Sequence, residues 1–535
     1  MSDWWKHGIV YQIYPRSFQD TNGDGIGDLP GILERLDYLQ WLGVDAIWIS
    51  PMYPSPMADF GYDVANYTDV DPRFGTLDDA QRLIDAAHDH GLRVILDYVV
   101  NHTSNEHPWF VESKASRESP KRDWYFWKDP APDGGPPTNW VSRFGGESAW
   151  TWDPTTEQYY LHTYLPEQPD LNWGHPQVQA AMLNVLRFWL DRGVDGFRVD
   201  VAYRAKVAPQ WRDNPPNPKW HEGMDPYERL QETHTKNLPD AHVVGRMLRQ
   251  VVDAYEDRVL IGEVTLPPER LVAFYGETGD EYHLPFNFNL IHSEWTAEAV
   301  QAQVDRYEAA LESDRVHDGA WPNYVMGNHD VHRMATRIGP EQARVAHMLL
   351  LTLRGTPTLY YGDELGLPNI DIPADKVQDP WELNAPGLGL GRDPARTPMR
   401  WRAAPHAGFC PEDVEPWLPA GPPEAPTVKA QTEHDNAMLP FVRRLIDLRQ
   451  SSEALHAGAY RARSSPEGVF AYERTGGGDV FMILLNLTET AKACTLPPET
   501  TPGTIARSTH PNREGTAVQH HLTLQPNEGV VVAVR

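Results

Sequence analysis

Only two cysteines, Cys410 and Cys494, occur in 535 residues, so one disulfide is the most the chain can form. That is no secreted framework, and free thiols in a reducing cytosol are the expectation. No run of 18 apolar residues occurs, which argues against a membrane span. Met1-Ser2-Asp3-Trp4-Trp5-Lys6 lacks the charged-then-apolar pattern of a signal peptide, so the expected location is the cytoplasm. Basic residues are in deficit: 47 Lys and Arg against 75 Asp and Glu give a formal charge of −28. Without a basic stripe to neutralise phosphates, no nucleic-acid partner is expected, and neutral substrates are favoured over polyanions. Gly-x-x-x-x-Gly-Lys-Ser/Thr is missing, as is Gly-x-Gly-x-x-Gly after the first strand, which disfavours a GTPase or a dinucleotide enzyme.

What is present is ordinary for a folded protein: 40% hydrophobic and 23% charged residues, in a chain long enough for two or three domains. One grammar repeats along it. An amphipathic helix is followed by a short β-branched run that ends in polar residues. Apolar spacing predicts a helix from Ile32 to Leu42, stopped by Gly43, and then a strand over Val44–Ser50. Helices at Leu83–His90, Gln177–Leu190 and Met247–Tyr255 precede strands at Val94–Val100, Gly196–Asp200 and Val259–Glu263. Tyr324–Asp330 and Pro357–Glu364 read as further strands. Alternating β and α units with short buried strands imply a parallel sheet covered by helices. Six or seven such units predict an α/β fold, a (β/α)8 barrel, whose strand C-terminal ends line the site. Those ends carry Asn101-His102, Arg198, Asp200, Glu263 and His329-Asp330.

Two stretches break the grammar. Residues 103–172 are rich in Trp, Pro, Gly and Asp without helical periodicity, and are too long for a loop. They predict a subdomain inserted after strand 3. Residues 205–240 read as a long, Pro-rich βα loop over the site. From residue 456 short strands and turns predict a C-terminal antiparallel β-sandwich over 456–535. The barrel then comprises 1–102 and 173–455. The 19 tryptophans are either core aromatics or stacking platforms for sugar rings.

Position makes a few of the many acids informative. Arg198 and Asp200 are two residues apart on a predicted strand, which puts both on one face. An arginine there can hold a carboxylate charged and oriented, although a barrel-filling ion pair has the same signature. Cleaving a glycosidic bond needs such a carboxylate together with a second acid that protonates the leaving oxygen.

Several short motifs together resemble the α-amylase family of glycoside hydrolases, family 13. They are Asp97-Tyr98-Val99-Val100-Asn101-His102, Gly196-Phe197-Arg198-Val199-Asp200, Gly262-Glu263-Val264 and Asn328-His329-Asp330. Gln168-Pro169-Asp170-Leu171-Asn172 and Tyr11-Gln12-Ile13-Tyr14-Pro15-Arg16-Ser17-Phe18 resemble its oligo-1,6-glucosidase and α-glucosidase subgroup. The resemblance spans essentially the whole chain. It implies a TIM barrel and a retaining, exo-acting α-glucosidase acting on small α-glucosides. Asp200 would be the nucleophile, Glu263 the acid/base and Asp330 the third carboxylate. Arg198, His102 and His329 would surround the cleaved ring and Tyr62 would floor it. Asp59 paired with Arg396 would close the pocket, with Phe144 and Tyr164 as candidate walls. Asp97 would orient Arg198. Glu263 must carry a raised pKa while Asp200 stays charged.

Val201, after the nucleophile, resembles the variant that tolerates α-1,6 links. Asp20, Asn22, Asp24, the Ile26 carbonyl and Asp28 place oxygens at alternate positions, as a hard-cation loop does, although residue 31 is Gly where such a loop has Glu. The family places a structural Ca2+ or Mg2+ there. Arg400 and Arg402 stand where Gln and Asp are usual, and are expected to remodel the rim. A sucrose isomerase or transglucosidase is the nearest alternative, though its Arg-x-Asp-Arg-x loop is missing. A monomer or small homo-oligomer is expected.

Overall fold

The computed structural model describes residues 3–314, 316–498 and 502–534. Eight parallel strands close into a barrel: β1 (Val10–Ile13), β2 (Ala46–Ile49), β3 (Arg93–Val99), β4 (Gly196–Asp200), β5 (Val259–Val264), β6 (Leu284–Asn287), β7 (Asn323–Val325) and β8 (Thr356–Tyr360). Each pairs with its neighbours in sequence, and β1 pairs with β8 to complete the ring. The repeating grammar thus yields the barrel it predicts. Both faces of the strands are covered, so their sequences are runs of apolar residues rather than alternations.

Two strands escape sequence pattern. β6, Leu284-Pro285-Phe286-Asn287, is short and carries a proline, which reads as a turn. β1 follows a four-residue helix, Trp4–His7, instead of a long amphipathic one. The strand read over Tyr324–Asp330 ends at Val325, leaving Gly327–Asp330 as a loop at the barrel mouth. The helix read as continuous from Ile32 divides into Leu29–Leu33 and Leu36–Leu42.

Register sets the site. Asp97 lies opposite Arg198 and Val99 opposite Asp200 across β3 and β4, while Arg198 lies opposite Ile261 of β5. Two motif glycines allow this close packing. A Cβ at Gly196 would sit 2.3 Å from the Val259 carbonyl oxygen, and one at Gly262 would sit 2.8 Å from the Tyr282 ring.

Between β3 and β4 the chain builds a three-stranded antiparallel sheet of Trp127–Lys128, Trp150–Asp153 and Gln158–Leu161. A helix, Pro108–Lys114, precedes it, although periodicity showed none. Residues 201–238, after β4, are mostly irregular and fold back on this sheet, with the Trp211 ring tilted against Trp140 and Trp150, its centre 5.6 Å from both. Lys206 fastens the three parts together. Its Nζ donates to Asp170 at 2.7 Å and Thr163 at 3.0 Å, and lies 3.4 Å from Asn101 Oδ1 at the end of β3. Both members of the Lys206–Asp170 pair are 1% exposed.

The C-terminal region forms a six-stranded antiparallel sheet and a two-stranded one, Lys492–Thr495 with His521–Leu524, with apolar side chains between them. Arg474, buried in this region, ties it to the barrel by donating to the carbonyl of Thr352. No helix among the described residues is long and apolar enough to cross a membrane. Cys410 and Cys494 are both free and buried.

Lys206→Met strands Asp170 without its cation. Burial works against the ionised carboxylate, but Lys206 and Thr163 hold its pKa below the usual range. Wild-type stability from this pair is therefore present above the unfolded pKa of about 3.9 and lost only as pH falls below that. The variant is expected to lose roughly 3–5 kcal/mol at pH 8. Because its Asp170 takes up a proton more readily, the gap in melting temperature should narrow between pH 8 and pH 5. A constant gap across that range counts against the account.

Candidate active site

Four strand ends deliver four acids to one cavity. Asp200 ends β4, Glu263 lies within the last turn of β5, Asp330 follows β7, and Asp59 sits in the loop after β2. The cavity has a volume of about 480 Å³ and is lined by all four, together with Tyr62, His102, Phe144, Tyr164, His329 and Arg392. A concave site of this size holds a small ligand.

One guanidinium organises the floor. Arg198 is fully buried; its Nη1 donates to Asp97 Oδ1 and Asp200 Oδ1, both at 2.8 Å, and its Nη2 to Glu263 Oε2 at 2.6 Å. Arg198 therefore holds the acids from below and does not line the cavity. Three carboxyls share one positive charge, so the group cannot be fully ionised at low cost. Burial pushes the Asp97 carboxyl up to about 6, against the pull of Arg198. Burial pushes Asp200 up as well, opposed by Arg198 and reinforced by Glu263, Asp97 and Asp330. Sequence reasoning placed the raised acid at Glu263 and a charged group at Asp200. In the structure Asp200, enclosed by the other acids, is itself pushed upward.

Asp330 is the opposite case. Burial works upward on it, but Arg392, Arg396 and Arg198 together hold it well below the carboxylate range. Its Oδ1 accepts from Arg392 at 3.2 Å and Arg396 at 3.1 Å. His329 is kept neutral by burial and by the nearby arginines. Gln12 Nε2 lies 2.8 Å from its Nδ1, which leaves the ring proton on Nε2, 2.7 Å from the Tyr62 hydroxyl. Tyr62 in turn donates to Asp97 Oδ2 at 3.0 Å. The Tyr62 ring is thus locked in orientation, parallel to His329 within 4°. Burial lowers His102 to about 4.

The far wall differs from the sequence expectation. Asp59 pairs with Arg392, at 2.8 Å, and not with Arg396. Arg392 also grips Asp379 at 2.7 Å and lies 4.6 Å from the centre of the Phe144 ring. Arg396 sits behind the wall, where its Nε donates to the His329 carbonyl at 2.7 Å. Both arginines belong to Arg392-Asp393-Pro394-Ala395-Arg396, and the short 3-10 turn Asp393–Ala395 between them decides which reaches the cavity. Phe144 and Tyr164 do face the cavity, clustered with Leu165 and Val201.

Arg400 does not touch the rim. It is buried and caps the carbonyls of Pro422, Ala425 and Pro426, while Arg402 is exposed outside the cavity. Of the tryptophans, Trp381 alone lines the cavity; most of the others pack in cores. Sequence reasoning missed Arg392, Trp381 and a buried group in the loop after β4, where Arg204 binds Glu232 and the Tyr227 hydroxyl. Only the second arginine of a recognisable pair signalled Arg392, and nothing local signalled the others.

In the loop of residues 20–28, oxygens are turned onto backbone amides. Asp20 accepts from Gly23 at 2.7 Å and Gly25 at 2.9 Å, and Asp28 caps the helix Leu29–Leu33 through Gly31 at 2.7 Å. Burial and the charges of Asp24 and Asp28 push Asp20 upward, as in a carboxylate group short of positive charge. This oxygen-only set suits a hard cation. Among the described residues, however, no three acidic, histidine or cysteine side chains converge on a common point.

A family model described as the α-amylase catalytic domain matches residues 12–458. The chain belongs to the α-amylase family. It is a glycoside hydrolase, and its four-acid cavity is where members of such a family place their chemistry. It is 42% identical to a probable α-glucosidase of Rhizobium meliloti over 92% of this chain and 91% of that one. It is 37% identical to an oligo-1,6-glucosidase of Halalkalibacterium halodurans over 91% of this chain and 90% of that one. Among solved structures, an α-glucosyl transfer enzyme matches with TM-score 0.92 at 39% identity over 99% of both chains. A trehalulose synthase of Pseudomonas mesoacidophila matches with TM-score 0.89 at 33% identity, again over 99% of both.

Arg392→Lys keeps the charge at the wall but loses the fork that spans Asp59, Asp379 and Asp330. Its kcat/KM for a glycoside substrate should fall on the order of 10–100-fold. Arg400→Lys, outside the cavity, should leave that value nearly unchanged. Equal losses in the two variants would contradict the assignment of Arg392 to the wall.

Proposed function

We propose that this glycoside hydrolase is a retaining, exo-acting α-glucosidase that releases glucose from the non-reducing end of short α-glucosides, α-1,6 links included. The observation that carries the reading is the shared clamp: Asp200 and Glu263 lie on adjacent nitrogens of Arg198, beneath a cavity walled by Asp59, Arg392 and Phe144. A wall on one side limits entry to a chain end. Similarity to proteins named α-glucosidase and oligo-1,6-glucosidase supports the substrate class.

In this reading Glu263 gives a proton to the glycosidic oxygen while Asp200 bonds to C1, and the bonding pair leaves with that oxygen. Water, deprotonated by Glu263, then releases glucose and frees Asp200. The proton retained by the carboxyl group around Arg198 is the one this sequence needs. Asp330, charged and fixed by two arginines, is suited to gripping sugar hydroxyls, as are His102 and His329. Tyr62 offers a fixed aromatic face.

Asp200→Ala is expected to lower kcat by roughly 10⁴-fold or more. Glu263→Ala should abolish turnover of isomaltose yet retain cleavage of α-glucosyl fluoride, whose leaving group needs no proton. Full turnover without the Asp200 carboxylate overturns the mechanism. Linkage preference is read from the isomaltose-to-maltose ratio of kcat/KM, which Val201→Thr should lower. The second reading, transfer of glucose to a sugar acceptor, is favoured by the likeness to a transfer enzyme and a trehalulose synthase. Product analysis separates the two: mainly free glucose supports hydrolysis, and rearranged disaccharide supports transfer.

The proposal includes a structural Ca2+ or Mg2+ held by Asp20, Asn22, Asp24, the Ile26 carbonyl and Asp28. Chelation should lower the melting temperature by several degrees, reversibly on adding back the ion, with little change in kcat on brief exposure. An unchanged melting temperature removes the cation. Two free thiols support a reducing, cytoplasmic location, with the enzyme working as a monomer or small homo-oligomer on neutral sugars.

A further inference from the structure

Val201, directly after Asp200, has φ +39° and is the only β-branched residue in the left-handed region among those described. A branched side chain resists that conformation, and such strain persists only where the surroundings over-determine it. Two sets of contacts do so here. The side chain packs with Phe144, Tyr164 and Leu165, and the main chain meets Glu263: Val201 N–H donates to Oε2 at 2.9 Å and Ala202 N–H to the Glu263 carbonyl at 3.1 Å.

We infer that Val201 is a positioning residue for Glu263, its strained turn aiming an N–H at Oε2 so that Oε1 alone exchanges the proton. Arg198 Nη2 donates to the same Oε2 at 2.6 Å. With two donors on it, Oε2 is the acceptor oxygen of the carboxyl group and has no room for the acid proton. Among the described residues no donor reaches Oε1, and Glu263 lines the cavity. The proton therefore passes from Oε1 to the glycosidic oxygen as the C1–O bond breaks, and returns to Oε1 from water in the second step. The same logic applies to Asp200, where Arg198 occupies Oδ1 and Oδ2 is left to attack C1. The left-handed turn thus links nucleophile and acid/base through one peptide unit. This inference rests on the reading of Glu263 as the acid.

The test replaces Val201 by its α-hydroxy analogue, 2-hydroxy-3-methylbutanoate, which keeps the side chain and turns the amide into an ester without N–H. For isomaltose, kcat/KM should fall on the order of 10–100-fold, whereas α-glucosyl fluoride should be largely spared. The basic limb of the isomaltose pH profile should move up by about one pH unit, because the charged form of Glu263 has lost a donor. Equal losses on both substrates, or an unmoved basic limb, overturn the inference.

Val201→Gly keeps the N–H and relaxes the strain, so the basic limb of its pH profile should stay where the parent's lies, whatever the side chain does to linkage preference. If this variant moves the limb up by about one pH unit, the side chain is the positioning element and the inference fails, even should the ester protein not fold. Glu263→Ala is the reference. If it shows no contrast between the two substrates, the reading of Glu263 fails; if it does and the ester does not, only the role of Val201 fails.

Discussion

The arginine on β4 is the interaction on which the rest of the site depends. A guanidinium buried in a barrel is costly unless its donors meet charged acceptors, and Arg198 meets three carboxyls at hydrogen-bond distance. Its contacts set Asp200 and Glu263 side by side at the floor of the cavity. The cluster still carries more negative than positive charge.

The site has two electrostatic halves. Around Arg198 three carboxyls compete for a single cation, and Asp97 and Asp200 are pushed upward. Around Asp330 the balance reverses, because Arg392 and Arg396 converge on its Oδ1 and hold its pKa well below the carboxylate range. Neighbouring acids of identical type are thus pushed in opposite directions by the arginines placed beside them. Tyr62 and His329 join the halves through a hydrogen-bonded chain from Gln12 to Asp97. A fixed chain of this kind keeps the cavity-facing rings of Tyr62 and His329 from rearranging.

The same arginine would have had a bland role in a different register. An Arg-x-Asp pair on a buried strand equally describes a barrel-filling ion pair, and only the alignment of Asp97 and Glu263 beside it makes the catalytic reading concrete. The raised acid was assigned to Glu263 from the chemistry it must perform. In the structure Asp200 is pushed upward by burial and by the acids around it. The metal loop shows the reverse weakness: its oxygen spacing is plain in the sequence, but its side chains are engaged with their own backbone amides.

Local pattern alone determined that helices and buried strands alternate, that a segment interrupts them after β3, and that the acids lie at strand ends. These are properties of neighbouring residues, so periodicity and motif spacing record them. Tertiary structure decided what depends on distant chain segments. It selected Arg392 over Arg396 as the partner of Asp59, placed Arg400 under a remote loop, and hid β6 behind its proline. It also bent Val201 into a conformation its side chain resists. Each of those outcomes is settled by packing between residues far apart in the chain, and no local pattern encodes the forces that hold them there.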